Sequence, residues 1–372
     1  MSLKIAVLKE TQKHERRVAL VPSVAEKLTK LGADLHMQSG AGDLVYLPDS
    51  AFKNVTFSED RTDLVSEADV VLAIQPPPID VVNAMKEGAI LISFIYANKE
   101  PDLVQRLLDK QITCFAMERI PRITRAQAMD ALSTPSALAG YYGVLLGATH
   151  LTRILAKVTT AAGAIGPAKV LVMGLGVAGL QAIATAHRLG AVVEGYDVRP
   201  ETQEQALSLG AKFVETGVDA RGSGGYAREL TAEEKAKIAS VLTEHIQQAD
   251  LVVTTAAIPG RPSPKLITSD QVRGMKPGAV IIDLSAEGGG NCEDTVPGET
   301  ISVGPVTIVA PLNVPSLLGK DASELYAKHL YNLLALMIKD SALALDWEDE
   351  VLAKTKLTHD GKSANTDQKP AN

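Results

Sequence analysis

Short apolar runs of strand length alternate with helix-length amphipathic segments from one end of this chain to the other. Leu3 to Leu8, Ala33 to Gln38, Asp69 to Ile74, Ala89 to Phe94 and Ile112 to Ala116 form a first set of candidate strands. Lys169 to Met173, Val192 to Tyr196, Lys212 to Val214, Leu251 to Thr255, Ala279 to Leu284 and Thr307 to Val309 form a second. Strands that alternate with helices in this way predict α/β layers built on parallel, doubly wound sheets. Two longer stretches are apolar at helical spacing: Thr134 to Ala156, through Leu138, Tyr141, Tyr142, Leu145 and Leu146, and Ala322 to Ile338, through Leu325, Tyr326, Leu330, Leu333, Leu334 and Met337. Lying at the edges of the second set, they are expected to cross between two domains and leave a cleft, the usual place for a ligand. The expected domains are residues 1–135 with 318–358, and residues 136–317. The polar, aperiodic residues 359–372 are expected to be a disordered tail.

Within the second set, the strand Lys169 to Met173 runs into Gly174-Leu175-Gly176-Val177-Ala178-Gly179, an amphipathic segment, and a second strand that ends before Asp197. In a dinucleotide-binding turn, the first glycine permits the tight turn and the second lets the backbone approach a pyrophosphate at the helix N-terminus. The third lets helix and strand pack closely. Asp197 stands where a carboxylate accepts the adenosine ribose hydroxyls and repels a 2′-phosphate, which predicts a Rossmann domain that prefers NAD(H). Arg199 pulls the other way, since an arginine near the ribose can serve a 2′-phosphate.

An internal echo supports two similarly wound domains. Ala68-Asp69-Val70-Val71 precedes Met85-Lys86-Glu87-Gly88, and Ala249-Asp250-Leu251-Val252 precedes Met275-Lys276-Pro277-Gly278. After the first strand, however, KETQKHERR offers charge instead of bare backbone, so nucleotide is expected on one domain only. Three other segments carry possible chemistry. Arg122, Gln127, Asp130 and Ser133 fall in IPRITRAQAMDALSTPS, which reads equally as a surface loop with a helix cap. The glycine-rich stretch 217–225 presents Tyr226 or is an ordinary exposed insertion. Ser285 to Asn291 follows a strand ending at Asp283, where Rossmann ligands lie, although its glycines suit a simple turn.

Composition narrows the classes. At 372 residues the chain exceeds the size at which a single core keeps growing. Its net charge of -7 argues against a nucleic-acid binder. Two cysteines, Cys114 and Cys292, are too few for a disulfide framework and lack metal-ligand context, so a reducing compartment is expected. The opening MSLKIAVLKE places charges where a signal peptide needs an apolar core. The uncharged runs Ala131 to Thr149 and Val170 to Ala186 read as buried elements, not as membrane spans.

The motifs Arg16-Arg17-Val18-Ala19-Leu20, PRITRAQAMDALS, GLGVAGLQAIATAHRLGA, YDVRPET, GGYARE, VIIDLSAEGGGN and NVPS recur in order. Together they resemble the NAD(H)-binding first domain of proton-translocating nicotinamide nucleotide transhydrogenase, to about residue 340. The resemblance implies two Rossmann-like domains with NAD(H) in the cleft, a homodimer, and direct hydride transfer from NADH to NADP⁺ on a separate domain. Proton movement would pass through a membrane-spanning subunit, with this chain on the cytoplasmic face of the inner membrane. It implies that Arg122, Gln127, Asp130 and Ser133 attend the nicotinamide, with Tyr226 on a mobile loop and Asp197 at the ribose. It also implies cofactor contacts at Ala128, Met129, Gly174, Gly176, Val177, Ala178, Gly179, Val198, Arg199, Gly225, Ala257, Ile258 and Asn313. No metal is implied.

Alanine dehydrogenase resembles the chain over the same two domains, and its chemistry requires a lysine and a histidine in the first. Here those places hold Gln75 and Tyr96, neither of which titrates near neutral pH. Arg17, which would grip a substrate carboxylate, is retained. A third reading, an NAD-binding regulatory module without catalysis, fits the absence of a second nucleotide fingerprint.

Overall fold

The computed structural model describes residues 2–219, 228–257 and 261–364. It contains two compact units, one built from the chain up to Pro135 and again from Pro315, the other from Ser136–Val314.

The first unit starts with β1 (Leu3–Val7), α1 (Pro22–Lys30), β2 (Ala33–Gln38), β3 (Val55–Ser58), α2 (Arg61–Ser66), β4 (Val70–Leu72), α3 (Ile79–Ala84), β5 (Ile90–Ser93), α4 (Pro101–Asp109) and β6 (Thr113–Ala116). Then α5 (Ser133–His150) leads into the second unit. There the order is β7 (Val158–Thr160), β8 (Gly163–Ile165), β9 (Lys169–Met173), α6 (Val177–Arg188), β10 (Val192–Tyr196), α7 (Thr202–Ser208), β11 (Lys212–Phe213), α8 (Ala232–Gln248), β12 (Leu251–Thr254), α9 (Ser269–Arg273), β13 (Val280–Asp283), β14 (Thr300–Val303) and β15 (Val306–Val309). After α10 (Val314–Leu317), the chain completes the first unit with α11 (Gly319–Met337), β16 (Ile338–Lys339), β17 (Ala342–Leu343), α12 (Glu350–Thr355), β18 (Lys356–His359) and β19 (Lys362–Ser363).

The two sheets repeat one topology. The first runs β19-β18-β6-β5-β4-β1-β2-β3 and the second β11-β10-β9-β12-β13-β15-β14. Each contains the doubly wound order 3-2-1-4-5-6, whose direction reverses beside its first strand, at β1/β4 and at β9/β12. All pairings within these six-strand blocks are parallel. Their central strands are predominantly apolar, with polar residues at or near strand ends, because both faces are covered. On β1, Leu3, Ile5 and Val7 join one core and Ala6 the other. On β9, Val170 and Val172 alternate in the same way with Leu171 and Met173.

The sequence echo has a physical counterpart. Ahead of β4, the Asp69 carboxylate accepts the backbone N–H of Lys4 at 2.8 Å and pairs with Lys86. Ahead of β12, Asp250 accepts the backbone N–H of Lys169 at 2.7 Å and pairs with Lys276. The same aspartate–lysine clamp therefore ties the first and fourth strands at the floor of each sheet.

Several expectations need correcting. The tail does not begin at 359: His359 ends β18, and Lys362–Ser363 pairs back on it. Leu357 and Thr358 are buried, and the Thr358 hydroxyl donates to the carbonyl of Ile112 at 2.7 Å. Edge pairing along β6 supplies the contacts that the polar composition of this segment conceals. The sheets are parallel as expected, and each takes an antiparallel strand at an edge, β18 on β6 and β14 on β15. β3 and β14 are absent from the expected strands. The fully buried positions of α5 are Gly140, Gly143, Val144 and Gly147, whereas Tyr141 is 41% exposed and Leu138, Tyr142, Leu145 and Leu146 are half-buried. Close approach explains this. A methyl group on Gly140 would lie 2.0 Å from the carbonyl oxygen of Ala178, so the helix packs through glycine instead of its larger residues.

Among the described glycines of the second unit, Gly179 leaves the least room: an added Cβ would sit 1.8 Å from the carbonyl oxygen of Gly174. Gly179→Ala must push α6 off the sheet, at a cost of about 2–3 kcal/mol. Differential scanning calorimetry of the variant is expected to show a midpoint lower by roughly 5–10 °C. An unchanged midpoint would show that the helix can yield at no cost.

Candidate functional site

In the second unit the glycine turn joins β9 to α6 at the carboxyl edge of the sheet, beside the β9/β12 reversal. Gly174 has φ +92°, a left-handed conformation natural to glycine, and a Cβ there would meet the backbone nitrogen of Ala256 at 2.9 Å. At Gly176, by contrast, an added Cβ meets nothing within 4 Å, so the backbone that opens α6 faces open space. With the contact at Gly179, each glycine does what a dinucleotide turn requires of it. Val177 is 45% exposed at the first turn of α6, with Ala178 beside it.

Asp197 follows β10 directly and is 9% exposed. One carboxylate oxygen accepts the backbone N–H of Leu175 in the turn (2.7 Å) and Arg199 Nη2 (2.8 Å). The other accepts the Arg199 backbone N–H and its Nε, both at 2.9 Å. The acid is thus fixed against the glycine turn. Val198 lies between the paired residues and packs on the core beneath.

The loops after β12 and β13 brace this turn through residues whose roles sequence reasoning misses. The Thr255 hydroxyl donates to the carbonyl of Gly174 at 2.8 Å. Asn291, fully buried, accepts the N–H of Ala256 (3.0 Å) and donates to the carbonyls of Ala256 and Pro264 (2.8 Å each). Asn291 is held in turn by Asp283, whose carboxylate accepts the N–H groups of Ser285, Asn291 and Cys292 and the hydroxyls of Thr254 and Thr295. Five donors compensate the burial of that charge. The run SAEGGGN therefore does more than turn the chain. Ala257 is exposed just beyond this brace. Asn313, at φ +45°, donates its N–H to Glu287 at 2.8 Å. Gly225, Tyr226 and Ile258 lie outside the described residues.

In the first unit Arg122, Gln127, Ala128, Met129, Asp130 and Ser133 come together around a 3-10 turn, Thr124–Met129, that enters α5. The Asp130 carboxylate accepts the N–H groups of Leu132 and Ser133 and the Ser133 hydroxyl, the last at 2.6 Å. Burial raises its pKa, but those hydrogen bonds and the Arg122 charge outweigh it and hold the carboxyl below its ordinary range. Asp130 and Ser133 thus form a helix cap. Gln127 and Ala128 are exposed, while Met129 is buried in the core. Two residues of α11 hold the loop from behind: His329 Nδ1 lies 3.0 Å and Asn332 Nδ2 2.8 Å from the carbonyl of Ala128. His329 Nε2 lies 3.1 Å from the Thr134 hydroxyl. Burial lowers the His329 pKa, so the ring is neutral, with Nδ1–H donating and Nε2 accepting. A helix histidine carries no sequence signal for this long-range task.

The first unit also contains a buried polar cluster at the carboxyl end of β1. Arg17, 4% exposed, donates to Glu15 in a fork, Nε at 2.8 Å and Nη2 at 2.6 Å. Gln75 Nε2 donates to the same carboxylate at 2.8 Å. Glu10 accepts the backbone N–H groups of Ile74 (2.6 Å) and Gln75 (3.3 Å), and burial pushes its pKa up to about 7. The Tyr96 ring stacks on Phe94 at 5.5 Å. The guanidinium that would hold a substrate carboxylate is therefore paired within the chain. Burial also raises both thiols, Cys114 well above the ordinary value and Cys292 to about 11, which leaves neither nucleophilic.

A pair of doubly wound units, one with an open glycine turn at its sheet reversal, defines the class, and comparison with known proteins gives the family. Residues 6–139 match the alanine dehydrogenase/PNT N-terminal domain and residues 143–366 the corresponding C-terminal domain. The chain belongs to the alanine dehydrogenase/PNT family. Within it, the chain is 44% identical to the first part of NAD(P) transhydrogenase subunit alpha of Rhodospirillum rubrum, over 96% of this chain and 97% of that one. It is 39% identical to NAD(P) transhydrogenase subunit alpha of Haemophilus influenzae, over 96% of this chain and 71% of that one. Alanine dehydrogenase of Halomonas elongata is more distant, at 30% identity over 97% of this chain and 94% of that one. The crystal structure of transhydrogenase from Sinorhizobium meliloti superposes with a TM-score of 0.87 at 41% identity, covering 97% of this chain and 99% of that one. These relatives support an NAD(P) transhydrogenase function. Among the described residues, no helix is long and apolar enough to cross a membrane.

The His329 brace generates a pH prediction. Its folded pKa is depressed, so the stability it contributes is present above the unfolded value of about 6.5 and is lost as pH falls below it. Replacing it with glutamine removes the titration. Melting curves between about pH 7.5 and 5.5, a window spanning that value, are therefore expected to fall less steeply for His329→Gln than for the parent. Parallel curves would remove the neutral-ring assignment.

Proposed function

We propose that this chain is the NAD(H)-holding subunit of a proton-translocating NAD(P)⁺ transhydrogenase. It would pass hydride directly from NADH to NADP⁺ bound by a partner subunit, with a membrane subunit coupling the transfer to proton movement. The observation that carries this reading is the cradle itself: open backbone at Gly176, closed packing at Gly174 and Gly179, and Asp197 tied to the turn. The pyrophosphate would lie at Gly176 to Gly179, and the adenosine ribose at Asp197 through Arg199, with Ala257, Ile258 and Asn313 as further contacts. Arg122, Gln127, Ala128, Met129, Asp130 and Ser133 would attend the nicotinamide, as would Tyr226 with Gly225. When bound, NADH supplies the hydride. Transfer between two nicotinamides changes no heteroatom's protonation, so these residues would orient the ring and exclude water and would not move protons. The helix-cap role of Asp130 and the exposure of Gln127 fit that division of labour.

The alanine dehydrogenase reading fits the buried cluster poorly. Arg17 is neutralised by Glu15, and Gln75 donates where a titrating amine is needed. The partner-bound reading also takes support from the relatives' names, which call them subunits. On this reading the chain works on the cytoplasmic face of the inner membrane, held there by its partners.

The decisive experiment is stopped-flow hydride transfer with a recombinant NADP-binding partner, alongside NADH titrations by cofactor fluorescence. Gln127→Ala is expected to slow transfer by about tenfold or more while NADH affinity changes less than about threefold, the pattern of an interaction made chiefly in the transition state. Transfer at the parental rate would reduce the loop to a helix cap.

The homodimer takes support from β7 and β8, which form a separate two-stranded hairpin whose residues are all exposed, including Ile165 at 53% and Val158 at 38%. Such a hairpin is marginal in water on its own, and this one, uncharged from Val158 to Pro167, suits burial against a second copy. Arg153 fastens its base, donating to the carbonyls of Gly166 and Pro167 while pairing with Asp250. Sedimentation of Ile165→Lys is expected to give a monomer at micromolar concentration. A persistent dimer would put the interface elsewhere.

A further inference from the structure

We propose that Arg199 competes with the adenosine ribose for Asp197, and that this competition limits how strongly the site prefers NADH over NADPH. The inference rests on the reading above that the ribose sits at Asp197, and it assigns to the arginine a role opposed to that of the acid.

A carboxylate presents about four acceptor positions, two on each oxygen. At Asp197 four donors fill them: the backbone N–H groups of Leu175 and Arg199, and Nε and Nη2 of the Arg199 side chain. The ribose hydroxyls therefore find every acceptor position engaged. The two backbone donors belong to the glycine turn and to the chain just after β10, and they cannot leave without unmaking the site. Only the guanidinium can withdraw. Its side chain is 20% exposed, against 6% for Asp197, so it has a route to solvent.

Selectivity is affected in two ways. NADH must exchange the forked guanidinium for two hydroxyls, which spends part of its binding energy on breaking an ion pair. A 2′-phosphate faces the opposite balance. While Arg199 is paired, the negative charge that should repel the phosphate is neutralised. Once displaced, the guanidinium remains on a short tether beside the ribose, where it can pair with the phosphate directly. Both positions of the side chain favour NADPH relative to a site holding the acid alone.

Arg199→Met keeps the aliphatic stem and the backbone N–H while removing the fork. Fluorescence titrations of the full chain with NADH and NADPH are expected to show NADH affinity rising about threefold and NADPH affinity falling by at least as much, so that discrimination increases roughly tenfold. Arg199→Lys, which cannot fork, is expected to fall between the two. A spectroscopic readout is independent of affinity: the Nε–H resonance of Arg199, assigned by its loss in the methionine variant, should shift toward the solvent-exposed position as NADH is added. Asp197→Asn separates the two levels of the argument. If it leaves NADH affinity unchanged, the ribose is not at Asp197 and the cofactor placement fails. If it weakens NADH while Arg199→Met lowers both affinities equally or leaves their ratio unchanged, the placement stands and the competition is overturned.

Discussion

No side chain fits between the first turn of α6 and the carbonyl of Gly174, and the second unit is arranged around that constraint. The helix must come this close for its opening N–H groups to face a ligand above the sheet, and only a glycine at 179 allows it. The crowding extends outward, since Gly174 leaves no room beside Ala256 and Thr255 commits its hydroxyl to the Gly174 carbonyl. Backbone approaching backbone so closely leaves polar groups that water cannot reach, and Asn291 and Asp283 satisfy them. The buried carboxylate of Asp283 is thus a cost of the close turn, offset by the five donors it organises.

The first unit repeats the topology and departs in its chemistry. The alanine dehydrogenase/PNT family shares this scaffold, and at the ends of β1 and β4 this chain places a closed polar network. Gln75 is an amide that can hold Glu15 but cannot take up a proton near neutral pH, and Glu15 in turn occupies Arg17.

Much of this can be read from the chain, and what cannot has identifiable causes. The central strands are legible because burial on both faces forces continuous apolar runs, and the glycine fingerprint is legible because its constraints are local. β3 and β14 escape because edge strands such as Val55–Ser58 and Thr300–Val303 are only partly covered and keep polar residues. The packed face of α5 is hidden because small residues bury a helix through close approach, which a count of apolar positions cannot register. Asp130 and Ser133 are visible as a candidate pair, but His329 and Asn332, which hold their loop, lie about two hundred residues away. Asp283 stands out in sequence only as the end of a strand, since nothing local announces five donors converging on it.

The carboxylate of Glu10 draws out what the duplicated topology means. It follows β1 as the glycine turn follows β9, and it accepts backbone N–H groups just beyond β4, at the reversal of its own sheet. The first unit therefore carries a carboxyl group of its own, raised by burial toward neutral pH, at the position where an α/β sheet of this order receives a ligand. Where the second sheet leaves open backbone at Gly176, the first fills the matching place with a side chain of its own.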